Sequence, residues 1–249
     1  MTRKKISVFI ITFNEAANIE RCLRALSWAD EIIIVDSGSG DATLDLCRRY
    51  TSNIYTNKFI DFSKQKNFAL SKVSNEWVLG VDADEKCTLK LRSEIEEALK
   101  RNADNFSGFY IKRRSMIFGR WFKYCGTQKD YQMRFFNKNN AYYLQPVHEI
   151  VKIDGKVSQL KCELLHYTYK DINGYIKRFN RYTDIEADTL RDRISRGKAL
   201  LFLIAKPLFR FLDLYIARQG FRDGMEGLLF SVFSGVYEFV KYSKLLLKE

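Results

Sequence analysis

The stretch Glu76–Cys87, "EWVLGVDADEKC", decides how this 249-residue chain is read. Trp77 to Val81 form an apolar run of strand length, and the run ends in two aspartates one residue apart, Asp82 and Asp84. Two carboxylates so close repel each other. Their placement at the mouth of a hydrophobic strand asks for a cation. On an extended segment residues i and i+2 face the same side, so both carboxylates could reach one divalent ion. Mg²⁺ and Mn²⁺ favour oxygen ligands and commonly share them with water and phosphate. A metal held there could stabilise charge on a leaving diphosphate.

Working outward, the first hundred residues alternate. "ISVFII", "EIIIVD", "NIYT" and "WVLGVD" read as strands. "EAANIERCLRAL", "DATLDLCRRY", "SKQKNFALSKV" and "TLKLRSEIEEALKR" read as helices, the second with Asp41 as N-cap and two arginines in its last turn. Nearly continuous apolar strands between helices predict a parallel sheet covered on both faces. Sites in such sheets lie beyond the carboxyl ends of the strands. Asn14, Asp36 and the Asp82/Asp84 pair all fall there. No G-x-G-x-x-G follows the first strand, which disfavours a dinucleotide fold. A turn explains Ser39 to Asp41 but leaves Asp36 over, available to a base or a ribose.

From Phe109 to about Leu165 strand-like segments follow one another without long helices, predicting an antiparallel extension of the sheet. Eight Lys/Arg and one acid, Asp130, occur from Lys112 to Lys138, with Trp121, Phe122, Tyr124 and Tyr131 among them. Beyond Asp171 the pattern is helical. The expected domains are 1–170, carrying the sheet, and 171–249, a helical C-terminal region. Its last two helices are strongly apolar, but Lys206, Pro207, Glu226 and Glu238 interrupt them, so neither reads as a membrane span. They either pack on a core or lie in a membrane interface.

The formal net charge is +12, pointing to an anionic partner: nucleic acid, a membrane face or a phosphorylated substrate. The five cysteines, Cys22, Cys47, Cys87, Cys125 and Cys162, are scattered and form no C-x-x-C pair. They suit reduced thiols in the cytoplasm better than disulfides or zinc. The apolar start is too short for a signal peptide.

The segments "SVFIITFNEAANIERCLRALSWADEIIIVDSGSGDAT", "QKNFALSKVSNEWVLGVDADE", "DYQMRFF" and "VHE" together resemble the family 2 glycosyltransferases, which have a GT-A fold. The resemblance is nearest to bacterial lipopolysaccharide core heptosyl β-1,4-glucosyltransferases and extends into the C-terminal segment. It implies an α/β, Rossmann-like, mostly parallel sheet with an antiparallel extension, plus C-terminal helices. By the same resemblance Thr12, Asn14 and Glu15 lie near the nucleotide, and Asp36 contacts the base. Lys66 and Asn67 approach the donor, while Asp82 and Asp84 hold metal and diphosphate. The family inverts, so a general base is required. Glu149 is preferred and Asp130 is the alternative. His148 is either a third metal ligand or a packed residue, and His166 is read as structural.

The implied reaction moves a hexose, glucose by resemblance, from a UDP-sugar to a lipopolysaccharide inner-core heptose. It would use Mg²⁺ or Mn²⁺ on the cytoplasmic face of the inner membrane, with peripheral contact to anionic lipid and no nucleic-acid partner. The alternatives are transfer to another surface polysaccharide or glycolipid, or a sugar nucleotidyltransferase. The last wants a Gly-rich basic loop that "TFNEAAN" lacks. A D-x-D-x-[TV] phosphatase fails at Lys86. A nucleic-acid binder explains the charge but gives the aspartates no task.

Overall fold

A computed structural model describes residues 4–102, 105–145, 150–191 and 193–247. Two compact units emerge. The first is Met1–Arg113 with Tyr131–His166, and the second is Arg114–Asp130 with Tyr167–Glu249. Residues 114–130, expected with the sheet, thus group with the C-terminal helices.

In the first unit β1 (Ile6–Thr12), β2 (Glu31–Asp36), β3 (Ile54–Thr56) and β4 (Trp77–Asp82) pair in parallel, in the order β3-β2-β1-β4. Between them run α1 (Ile19–Arg24), α2 (Thr43–Cys47) and α3 (Phe62–Lys72). The uninterrupted apolar strands follow from burial on both faces. Val8, Ile10, Ile32, Ile34, Leu79 and Val81 enter one core, while Phe9, Ile33, Val35 and Val78 enter the other. Gly80 sits where this packing is close. A Cβ there would lie 2.8 Å from the Phe9 ring and 3.0 Å from the Tyr143 hydroxyl.

After β5 (Glu85–Cys87) and α4 (Leu89–Asn102) come β6 (Gly108–Ile117), β7 (Arg120–Trp121) and β8 (Tyr131–Asn137). The strands β9 (Ala141–Leu144), β10 (Ile150–Ile153) and β11 (Val157–Tyr169) follow. β8 runs antiparallel to β4 and to β6, and β5 runs antiparallel to β11. Among the described residues nine strands make one sheet, its main path ending β4-β8-β6-β11-β5, while β9 and β10 form a separate ladder. The α/β class and the parallel half with an antiparallel extension are as expected.

Two local readings are corrected. α2 is shorter than "DATLDLCRRY" suggested: it starts after Ala42 and ends before Arg48 and Arg49. Asp41 precedes the cap position, and its carboxylate accepts from the Thr43 and Ala16 N–H groups. The second correction concerns the D-x-D itself. β4 stops at Asp82, and Ala83–Asp84 form a turn into β5. The pair is therefore not on an extended segment, and the two side chains have different partners.

The second unit holds β7 and α5 (Ile172–Leu190), α6 (Arg196–Leu212) and α7 (Gly224–Leu247). Its own core contains Ile117, Phe122, Cys125 and Leu214, with Phe118, Tyr169 and Phe230 packed against it. The buried Asp223 carboxylate accepts from the Lys123 and Tyr124 N–H groups, at 3.0 and 2.9 Å, and so fixes the basic loop after β7. α6 and α7 approach closely at Gly235, where a Cβ would meet the Pro207 carbonyl at 3.0 Å. No helix among the described residues is long and apolar enough to cross a membrane.

Candidate active site

The tip of β4 carries a knot of opposite charges. α3 begins at Asp61, whose carboxylate caps it by accepting from the Lys64 N–H. That start brings Lys66, which is buried, to 3.1 Å from Asp82 Oδ1. The neighbouring Asn67 points elsewhere. Its amide donates to the Tyr143 carbonyl and accepts from the Tyr143 N–H, both at 2.9 Å, clamping α3 to β9. Lys66 also lies 5.6 Å from the centre of the Tyr143 ring.

Arg134 reaches the same carboxylate from β8. On that strand Phe135 and Phe136 fill the two cores, and Arg134 is directed to the β4 tip with only 5% exposure. Its guanidinium ion-pairs with Asp82 Oδ2 and donates to Glu85 Oε1 at 2.7 Å. Glu85 is fully buried. Its other oxygen accepts from the Asp82 N–H at 2.9 Å, and Arg113 stands 3.7 Å from Oε1. Asp84 turns the other way, to 3.5 Å from His166 Nε2 on β11. β11 brings His166 there by pairing it with Glu85 in register.

The electrostatics separate the carboxylates. Burial pushes the Asp82 carboxyl up, but Arg134 and then Lys66 outweigh it and hold it well below the usual carboxylate range. Glu85 moves oppositely: its complete burial raises it, and Arg134 does not offset this. Arg134 itself stays protonated far beyond any working pH, because Asp82 and Glu85 overcome its desolvation. A cavity of about 190 Å³ opens beside this knot, with Lys66, Arg134, Tyr110, Tyr131 and Tyr143 in its walls.

The rim at β1 and β2 is stitched together by side chains. Asn14, at φ 54°, donates its N–H to Ser39 Oγ at 2.8 Å and accepts from the Gly40 N–H at 2.9 Å. Asparagine tolerates this left-handed backbone better than most residues. The Glu15 N–H donates to Thr43 Oγ1, and its carboxylate accepts from Asn18. Thr12 is buried beside Asp36, and its hydroxyl has no hydrogen-bond partner among the described residues.

Asp36 corrects the sequence reading that a turn leaves it over. It is fully buried, with one oxygen accepting from the Gly38 and Ser39 N–H groups at 2.7 and 2.8 Å. The other accepts from Ser39 Oγ at 2.5 Å. It anchors its own turn.

Thus Lys66 and Asp82 meet at the β4 tip, whereas Asp84 stands beside His166. Thr12, Asn14, Glu15 and Asp36 build the adjoining loops, and Asn67 serves β9. Asp130 caps the 3₁₀ turn Thr127–Lys129 in the second unit. His148 and Glu149 lie outside the described residues. Sequence reasoning missed Arg134, Glu85 and the placement of His166, and it read Arg113 only as part of the basic run from Lys112 to Lys138, whereas Arg113 stands against the buried Glu85. Glu85, directly after Asp84, and the arginine amid the apolar run "MRFF" were the available signals. No group of three or more His, Cys, Asp or Glu arranged around a metal occurs among the described residues.

The model of the family described as "Glycosyl transferase family 2" matches residues 7–151. The lipopolysaccharide core biosynthesis glycosyltransferase LpsC of Rhizobium meliloti is 30% identical over 250 residues, 96% of this chain and 91% of that protein. An uncharacterized glycosyltransferase of Rickettsia prowazekii is 29% identical over 263 residues, 97% of this chain and 87% of that one. Among solved structures, S. aureus TarS 1-349 aligns with a TM-score of 0.46 at 14% identity, over 97% of this chain and 90% of that one. The family match over residues 7–151 and the identity to the Rhizobium protein establish that this chain belongs to glycosyl transferase family 2 and is a glycosyltransferase.

Proposed function

We propose that this glycosyltransferase moves glucose from UDP-glucose, with inversion, to an inner-core heptose of lipopolysaccharide at the cytoplasmic face of the inner membrane. One observation carries the donor side of this reading: the buried Lys66 and Arg134, the buried Glu85 and the half-buried Asp82 share the tip of β4, with a cavity beside them. The name of the Rhizobium relative supports the acceptor class.

Lys66 and Arg134 are held in place by Asp82 and Glu85, so they can meet a diphosphate without reorganising. Asp84 and His166 offer oxygen and nitrogen donors 3.5 Å apart, chemistry that fits Mg²⁺ or, with the imidazole, Mn²⁺. Asp82 already engages two cations, so Asp84 is the better placed of the pair to hold a metal. Such an ion, when bound, supplies charge to stabilise the departing UDP. Thr12, whose buried hydroxyl lacks a partner among the described residues, offers the nucleotide a hydrogen bond. Asn14, Glu15 and Asp36 shape the loops it would rest on. Glu149 is the proposed base for the acceptor hydroxyl, with Asp130 the alternative, and His148 the proposed further ligand. The basic residues Arg114, Arg120 and Lys123 suit acidic groups on a core glycolipid.

A donor screen tests this. UDP-glucose, UDP-galactose and UDP-N-acetylglucosamine are each offered with core-truncated lipopolysaccharide, with Mn²⁺ or with EDTA, and UDP release is followed. Release from UDP-glucose that needs both metal and a heptose-terminated acceptor is expected. Equal release with EDTA would remove the metal, and release from another donor alone would replace glucose. Glu149→Gln should bind UDP-glucose but not turn over. Normal turnover would move the base to Asp130.

A further inference from the structure

α6 is built inside out for a helix in water. On a 100° wheel, Leu200, Leu201, Ile204, Leu208 and Leu212 fall within about a third of the circumference. This face is the one most open to solvent: Leu201 is 63% exposed, Ile204 78% and Leu208 62%. Phe209 extends it at 65%. The opposite side holds the buried Ala199, with Lys206 and Arg210 half-buried beside it. Lys206 lies over the Phe202 ring, and Arg210 pairs with Asp213. The helix thus turns its charged side toward its own unit and its leucines away from it. The exposed apolar series continues past α6 through Ile216, Phe221 and Met225. On α7, Val232, Val236 and Phe239, spaced i, i+4, i+7, are also exposed.

We propose that this outward face of α6, continued by Ile216, Phe221 and Met225, is the surface by which the protein lies in the headgroup-to-acyl boundary of an anionic bilayer. The proposal deepens the membrane-surface reading above and rests on it. Scattered exposed leucines are ordinary, but a contiguous helical face of them marks an interaction surface. Charge identifies the occupant. From Arg196 to Arg222 the exposed Lys/Arg are Arg196, Lys198, Arg218 and Arg222, while Lys206 and Arg210 turn inward; the acid Asp213 pairs with Arg210 and Arg218, and the buried Asp223 lies just beyond. Arg196 and Lys198 precede the stripe, and Arg218 and Arg222 follow it. Two copies of the chain meeting on this face would bring like charges together, whereas an anionic leaflet complements them. Seventeen residues make a helix of about 25 Å, short of the roughly 30 Å hydrocarbon core, so it lies along the surface rather than across it.

Flotation of the full chain with vesicles tests this, comparing phosphatidylcholine alone with phosphatidylcholine mixed with phosphatidylglycerol. The wild type should float with the mixed vesicles and bind the neutral ones more weakly. Ile204→Ser with Leu208→Ser, both outside any core, should lower binding at least about tenfold with unchanged circular dichroism. Arg196→Gln with Lys198→Gln should lower binding to the mixed vesicles by a few-fold, on the order of tenfold at most, and leave neutral vesicles unaffected. Wild type that floats with neither vesicle, or a serine variant that floats as wild type does, would overturn the proposal. So would a wild-type dimer in light scattering that the serine pair splits, since the face would then be a self-contact. Vesicle binding without sugar transfer to core glycolipid would reject the acceptor reading and leave the α6 surface standing. Transfer without vesicle binding would do the reverse.

Discussion

The tip of β4 and the outward face of α6 break the same rule in opposite directions. At the first, Arg134, Lys66, Asp82 and Glu85 place charge where water is scarce. At the second, Leu201, Ile204 and Leu208 place hydrocarbon where water is plentiful. Each arrangement opposes the solvation preference of its side chains. Folding alone selects for neither, and the difference separates the two partners proposed above: a charged ligand at the tip, an apolar phase at the helix.

The sharpest way to break this comparison is Arg134→Met. It leaves Asp82 and Glu85 facing each other with their shared cation gone, a loss worth about 3–5 kcal/mol for a broken buried pair. Urea unfolding should show the drop, and adding Glu85→Gln should recover part of it by removing one stranded charge. An unchanged midpoint for Arg134→Met would mean that water already reaches the knot, and the contrast with α6 would fail.

Asp84→Asn comes next. It keeps the size of a side chain that touches His166 and removes its charge. Turnover should fall about 10²–10³-fold if this carboxylate supports charge stabilisation of the leaving group. Its unfolding midpoint should move much less than that of Arg134→Met. Mn²⁺ binding, followed by calorimetry without donor, should weaken in parallel. Undiminished Mn²⁺ affinity would take Asp84 out of any metal site.

Much of this was legible in the sequence, unevenly. The parallel half could be read because strands buried on both faces must be apolar throughout, as "EIIIVD" and "WVLGVD" are. The acidic strand tip could be read because position relative to an apolar run is local information. Its partners could not. Arg134, Arg113 and His166 reach the tip through strand registers set by contacts dozens of residues apart. Asp36 misled for a local reason: a carboxylate that accepts from N–H groups two and three residues on is an Asx-type turn, and "DSGS" contained that signal. α6 was left open between a core and a membrane interface for a different reason. An apolar helix reads alike whether its leucines face a core or a bilayer, and only exposure distinguishes them.

A smaller effect calibrates the tip. Glu31 stands at the opposite, amino end of β2, accepting from Ser7 Oγ at 2.5 Å, the Ser74 N–H at 2.8 Å and Ser74 Oγ at 2.7 Å. Burial is the largest single influence and raises its carboxyl, but these bonds, Ser7 first, together outweigh it and bring it below its ordinary value. A lowered folded value contributes stability above the unfolded value, about 4.3, that fades as pH falls through the folded one. Glu31→Gln should therefore cost no more than about 1 kcal/mol at pH 7 after solvent screening, and nothing in acid below the folded value. A cost that persists in acid would trace to packing. A cost as large as that of Arg134→Met would make the tip an ordinary strand end.

The smallest stability change should come from Ile204→Ser with Leu208→Ser, and its smallness is the point. Leu79→Ala, in the core between the sheet and its helices, should lose about 2–5 kcal/mol because it empties packed space. The α6 pair removes more hydrocarbon yet should shift the unfolding midpoint by no more than about 0.5 kcal/mol, since folding never took those side chains out of water. A core-sized loss would mean that the face is already covered in solution, and its side chains would then obey the solvation rule after all. A near-zero loss, with vesicle flotation abolished, separates what α6 does for the fold from what it does at a lipid surface.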